Sequence, residues 1–169
     1  MADFHDQLQT CLPDLWRYGF ALTRDRNLAD DLVQDCAERA LRKQALWQRT
    51  GDLKPWLMKM LLNIYRNQLR GQSRRPRLVT IDDMPHDISV ADGIDQKMHL
   101  SETATAIQKL PDDQREVLLL IVLGGVSYKQ AAEALDLPLG TLMSRLGRAR
   151  ARLRELTSPQ PSSEQRGML

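Results

Sequence analysis

An all-α fold of two small helical domains joined by a flexible linker is predicted by three observations on the chain. Apolar residues recur at three- and four-residue spacing through most of residues 1–75 and again through 97–157, which is the period of helices that bury one face. Between them, from Pro76 to about Asp95, the stretch PRLVTIDDMPHDISVADGID holds two prolines, a glycine and five aspartates, with no lysine or arginine after Arg77. Such a composition makes a linker, assigned to residues 76–96. Third, Ser127 to Leu156 has the punctuation of a helix-turn-helix whose second helix is rich in arginine.

Taken in order, Leu8, Leu12, Leu15, Trp16, Gly19 and Leu22 form the first stripe, and the polar run Thr23 to Asn27 ends that helix near Leu22. Leu28, Leu32, Val33, Cys36, Ala40 and Leu41 resume it in a helix from about Leu28 to Leu46. Its outer face carries Asp30, Asp31, Gln34, Asp35, Glu38 and Arg39. These acids suit either of two roles, complementing the helix dipole or docking a basic partner. A loop from Trp47 to Asp52 includes Arg49, and Asp52 is placed to cap the next helix, with Pro55 tolerated in the first turn. That helix runs from Leu53 to about Gln72 and buries Leu57, Met60, Leu61 and Ile64, with Leu69 a further candidate. It shows Asn63, Arg66, Asn67 and Arg70 on a polar side, ahead of Arg74, Arg75 and Arg77. Amides and arginines with aromatics nearby hold phosphates and exposed bases; an amphipathic helix with a basic end is the plainer reading.

After the linker, Lys97 to Lys109 reads as a helix with Met98, Ala104 and Ile107 inward. Pro111, Asp112 and Asp113 suit the first turn of the next, whose apolar run Val117, Leu118, Leu120, Ile121 and Leu123 stops at Gly124-Gly125. Ser127 and Gln130 fit a capping box, so a helix is predicted from Tyr128 to about Asp136. Leu137-Pro138-Leu139-Gly140 then turns the chain into a second helix near Thr141. Ala131, Ala132 and Leu135 permit a tight crossing, and Leu142, Leu146, Ala149 and Leu153 face the core. Thr141, Ser144, Arg145, Arg148 and Arg152 stay outside, with Lys129 on the preceding helix. This pattern suits a DNA groove, where arginine contacts phosphate and the edge of guanine. Residues 158–169, rich in Ser, Pro and Gln, are expected to be disordered.

With 169 residues and 42% hydrophobic content the chain can bury its cores, and a net charge of +2 means that any nucleic-acid role must come from local charge. No stretch approaches a membrane span, and the N-terminal MADFHDQLQ has acids where a secretion signal has bases, so the expected location is cytoplasmic. Cys11 and Cys36, with His5, His86 and His99, show no metal-ligand spacing. With no phosphate-cradling loop, nucleophile motif or isolated carboxylate pair in the sequence, the expectation is a binding protein without catalytic residues, metal or cofactor.

At this point the chain resembles a family. LPDDQREVLLLIVLGGVSYKQAAEALDLPLGTLMSRLGRARARLREL is similar to region 4, the promoter −35-binding domain, of the extracytoplasmic-function (ECF) sigma factors, above all at LP-x-x-x-REV, S-Y and P-x-G-T-x-x-SRL-x-RAR. The first half is similar to their region 2 through DDLVQD at Asp30 to Asp35 and WLMKMLLNIYRNQLR at Trp56 to Arg70. It departs from the family pattern at Cys36-Ala37, where a bulky hydrophobe is usual, and at Leu62, where an arginine is.

The resemblance implies a factor that binds core RNA polymerase and directs it to promoter DNA while the polymerase does the chemistry. It assigns Asp31, Gln34 and Asp35 to the polymerase contact. Trp47, Arg49, Asp52, Asn63, Arg66, Asn67, Arg70 and Arg74 fall to the melted −10 element, and Thr141, Ser144, Arg145, Arg148, Arg152 and Lys129 to the −35 duplex. It also implies control by an anti-sigma factor and gives the acidic linker a basic channel to thread. The residues by themselves also fit a free-standing helix-turn-helix regulator or a protein-binding adaptor.

Overall fold

The computed structural model describes residues 3–47, 51–72 and 102–158, and among them every regular element is helical. The first half contains α1 (Phe4–Thr23), α2 (Arg26–Arg42), a 3₁₀ turn (Gln44–Leu46) and α3 (Leu53–Gln72). The second contains α4 (102–108), α5 (Asp112–Leu123), α6 (Tyr128–Ala134) and α7 (Leu139–Thr157). The predicted linker, Arg74, Arg75, Arg77, Met98 and the tail from 159 lie outside the described residues. None of the described helices is long and apolar enough to cross a membrane.

Helix ends are set by local hydrogen bonds. Asp3 caps α1 by accepting from the amide of Phe4, and Arg24 closes the helix in the left-handed conformation with its N–H on the carbonyl of Phe20. Asp25 accepts from the amide of Leu28 at 2.9 Å, so α2 begins before its apolar stripe does. The predicted continuation to Leu46 breaks at Lys43, whose N–H is shared between the carbonyls of Arg39 and Ala40. This tightening ends the α-helix and leaves a separate 3₁₀ turn. Asp52 accepts from the amide of Lys54, in line with its expected capping role.

The capping box forms as the sequence predicts: Gln130 N–H donates to Ser127 Oγ at 3.2 Å, and Ser127 N–H to Gln130 Oε1 at 2.9 Å. In the turn that follows, the left-handed residue is Asp136, at φ 54°, while Gly140 sits inside the first turn of α7. Pro138 is the N-cap there, so α7 starts two residues before the predicted Thr141. Replacing Ser127 with alanine is expected to cost ~1 kcal/mol. Urea unfolding measures this, and an unmoved midpoint would mean that packing alone holds α6.

The two halves are not merely tethered: their buried side chains form one apolar cluster, with α1 packed on α5 and α3 on α6. This explains where burial departs from the sequence reading. Leu57, Leu61 and Ile64 are buried as expected, but so are Leu53, Met58, Leu62 and Tyr65, because α3 is covered from two sides. Met60 is only partly buried, while Leu69, Leu28 and Leu41 are exposed. In α4 it is Ala106, not Ala104, that is fully inward. Leu62 and Cys36, the two departures from the family pattern, both lie in the core. Tyr18, fully buried in α1, reaches across to donate its hydroxyl to the carbonyl of Glu116 at 3.3 Å. Gly125, at φ +62°, ends the α5 segment beside the Lys54–Asp14 ion pair of the first half; a Cβ there would lie 3.2 Å from Lys54 Nζ.

Candidate nucleic-acid interface

On α7, Thr141, Ser144, Arg145 and Arg148 fall at positions one and two turns apart, opposite the buried Leu142, Leu146 and Ala149. With Asp113, Pro138 and Gly140 they line an open concavity of about 490 Å³ at the start of the helix. Gly140 adds nothing to fill it, since a Cβ there would meet no atom within 4 Å. The N-cap Pro138 makes no side-chain hydrogen bond to the first turn, and the helix N-terminus is a positive dipole end, so the concavity suits an anion such as a backbone phosphate. Arg145 is only half exposed, its Nε 3.5 Å from Asp113 Oδ2 at the start of α5. Arg152 lies one turn beyond Arg148 and is paired with Glu155, and Lys129 is exposed on α6 without lining the concavity.

A second polar face runs along α3. Asn63, Asn67 and Arg70 are exposed, and Arg70 donates to Asn67 Oδ1 at 2.7 Å. Arg66, one turn from Asn63, faces the second half instead. Its two nitrogens donate to the Glu116 carboxylate at 2.5 and 3.3 Å, and this hydrogen-bonded acid holds the guanidinium above its ordinary pKa. Trp47 is partly buried against Phe4, with ring centroids 5.8 Å apart, and Trp56 packs on the same phenyl. Asp52 meets Gln130 of α6 at 3.5 Å. Arg49 and Arg74 lie outside the described residues.

The acidic face of α2 is present, with Asp31 and Gln34 exposed. Asp35 is held by Arg39 one turn later through contacts of 2.9 and 3.2 Å, so its charge is partly offset. Asp30 accepts from the Trp16 indole at 2.7 Å, and that ring stacks on Phe20. Sequence reasoning passed over Arg39 as a partner, although its i,i+4 spacing from Asp35 is a signal of such a pair. Glu116 and Asp113 were also missed. Glu116 comes beside Arg66, and Asp113 beside Arg145, only when the chain folds.

Among the described residues no group of three His, Cys, Asp or Glu side chains could hold a metal. Both thiols are buried; burial pushes Cys36 up to about 12 and Cys11 upward as well, which disfavours the reactive thiolate form.

The family model for sigma-70 region 4 matches residues 100–153, and one described as the Sigma2 domain of PhyR matches residues 8–62. The chain is 35% identical to the ECF RNA polymerase sigma factor EcfG of Rhodopseudomonas palustris, across 89% of this chain and 83% of that one. It is 34% identical to the ECF RNA polymerase sigma factor SigC of Mycobacterium tuberculosis, across 81% and 74%. The solved structure of the sigma factor RpoE of Bartonella quintana, in complex with the anti-sigma factor NepR, superposes with a TM-score of 0.80 at 33% identity. That likeness covers 92% of this chain and 97% of the other. A chain with both sigma matches in this order, and this degree of identity over most of its length, belongs to the ECF RNA polymerase sigma factors.

Proposed function

We propose that the protein docks on core RNA polymerase and directs it to promoters, reading the −35 duplex with α7 and holding the melted −10 element with α3. The observation that carries this reading is the concavity at the start of α7, where two hydroxyls and two arginines converge on one face. Phosphates fix such a helix in the groove, and the arginine forks then discriminate bases. Thr141, Ser144, Arg145 and Arg148 are the upstream contacts, flanked by Arg152 and Lys129. Asn63, Arg66, Asn67 and Arg70, with Trp47, Arg49, Asp52 and Arg74, are assigned to the melted strand. Asp31, Gln34 and Asp35 form the acidic polymerase-docking face, and the complex of RpoE with NepR supports control of this chain by an anti-sigma factor.

The test is transcription from a pool of promoter-region fragments by core polymerase with and without the purified chain. A discrete set of chain-dependent start sites is expected; an identical transcript pattern in both reactions would overturn the proposal. Within that assay, Asp35→Arg reverses a charge on the docking face and repels its own Arg39. It is expected to weaken assembly with polymerase about tenfold or more while shifting the unfolding midpoint little. Unchanged assembly would remove Asp35 from the docking face.

A further inference from the structure

The surface along which the two halves meet is charged in a complementary way. From α3 the first half presents Lys59 and Arg66, seven residues apart on one face. The second half answers with Asp136, 2.6 Å from Lys59 Nζ, and with Glu116, which takes Arg66 through two nitrogens. Around these pairs the contact is fixed by the Tyr18 hydroxyl on the Glu116 carbonyl, by Gln130 on Asp52, and by Gly125 over Lys54 and Asp14. Glu116 is 9% exposed, and it is the one buried charged residue among those described.

We propose that Glu116 occupies, from within the chain, the place on Arg66 that a nucleic-acid phosphate would take, so that the packed arrangement and nucleic-acid binding by α3 exclude one another. This rests on the assignment of Arg66 to nucleic acid made above. The Nε–Nη edge of a guanidinium fits a carboxylate or a phosphate in the same bidentate way. Glu116 fills that edge of Arg66, and a phosphate brought to the remaining nitrogens would set two like charges together beside a buried carboxylate. Lys59 and Asp136 repeat the pairing two turns away, so separating α3 from α5 and α6 frees two cations of α3 at once. Nucleic acid and the second half thus compete for α3, and binding one weakens the other by the same factor.

The full-length chain and its Glu116→Gln variant, which keeps the side chain's size and removes its charge, test this through two readouts. Small-angle X-ray scattering reports the radius of gyration, and fluorescence anisotropy reports affinity for a labelled dT20 oligonucleotide at low salt. Glu116→Gln is expected to enlarge the chain and to tighten dT20 binding about fivefold or more. Asp136→Asn, at an exposed residue, is expected to shift both readouts the same way by less, and it carries the test if Glu116→Gln does not fold. Asp6→Asn, also exposed but on α1 away from these pairs, controls for the loss of one negative charge and is expected to move neither. An unchanged radius in both interface variants would overturn the proposal, as would an enlarged chain with unchanged dT20 affinity. Adding Arg66→Ala to Glu116→Gln is expected to abolish the gain. If the gain survives, Arg66 is not a nucleic-acid contact, and the assignment beneath the proposal fails rather than the packing.

Discussion

Replacing Leu146 with alanine is expected to destabilise the protein by roughly 2–5 kcal/mol, against the ~5–15 kcal/mol total of a typical domain. Leu146 is 1% exposed and lies between Leu142 and Ala149 on the face of α7 that packs on α5 and α6. α6, at seven residues, is too short to hold its own shape, so its place depends on that packing. Truncation removes the apolar contact and leaves a cavity that three helices would have to move to close. The loss reaches beyond the helix-turn-helix, because α6 also lies on α3 and the two halves share one core. Urea unfolding followed by circular dichroism measures the effect. A loss below ~1 kcal/mol would mean that the site collapses freely and that the seat of α7 is loosely packed. Met143, three residues away and exposed, is the comparison: alanine there is expected to change stability by no more than ~0.5 kcal/mol.

The features legible in the sequence are those decided within a turn or two of the residue concerned. Ser127 and Gln130 satisfy each other three residues apart, so the capping box could be read from the string and is present. The range Leu53–Gln72 for α3 follows from one uninterrupted apolar period. Boundaries were lost where a polar group outside the stripe sets the end, as Asp25 does for α2 and Pro138 for α7. By sequence Gly140 is the residue of this turn most tolerant of positive φ, yet Asp136 adopts it, as short polar residues can. Burial of Met58 and Leu62 was not legible at all. α3 also packs on α6, some 70 residues later in the chain, and no local period records that.

The candidate interface divides in the same way. Helical spacing alone groups Thr141, Ser144, Arg145 and Arg148, as it does Asn63, Asn67 and Arg70. It cannot say which of these cations already has an acid beside it. Glu116 sits in the sequence at the head of an apolar run, where it reads as a surface residue of a helix's first turns; only the packing of α5 against the first half brings it to Arg66. Asp113 reads as a dipole-complementing acid at a helix start, and the fold also brings it within 3.5 Å of Arg145.

That last contact shapes the second large effect. Arg145→Ala is expected to reduce discrimination between the cognate upstream duplex and a scrambled one by ~1–3 kcal/mol, the worth of one bidentate arginine–guanine contact. Arg145 stands with Thr141 and Ser144 near the start of α7, the part of such a helix that reaches base edges, whereas Arg152 lies two turns farther along. Asp113 approaches the guanidinium at Nε, 3.5 Å away, so the acid lies on the inner edge of the side chain and a base would meet its outer nitrogens. Arg145→Lys separates charge from shape. It keeps the phosphate attraction and the dependence on salt, but it lacks the fork, so it is expected to lose nearly as much discrimination as alanine. The measurement is competition between the two duplexes for the assembled polymerase complex at one fixed salt concentration. Equal loss on both duplexes in the alanine variant, with full rescue by lysine, would show that Arg145 holds only the phosphate backbone. Base reading on α7 would then fall to Arg148 and the two hydroxyls.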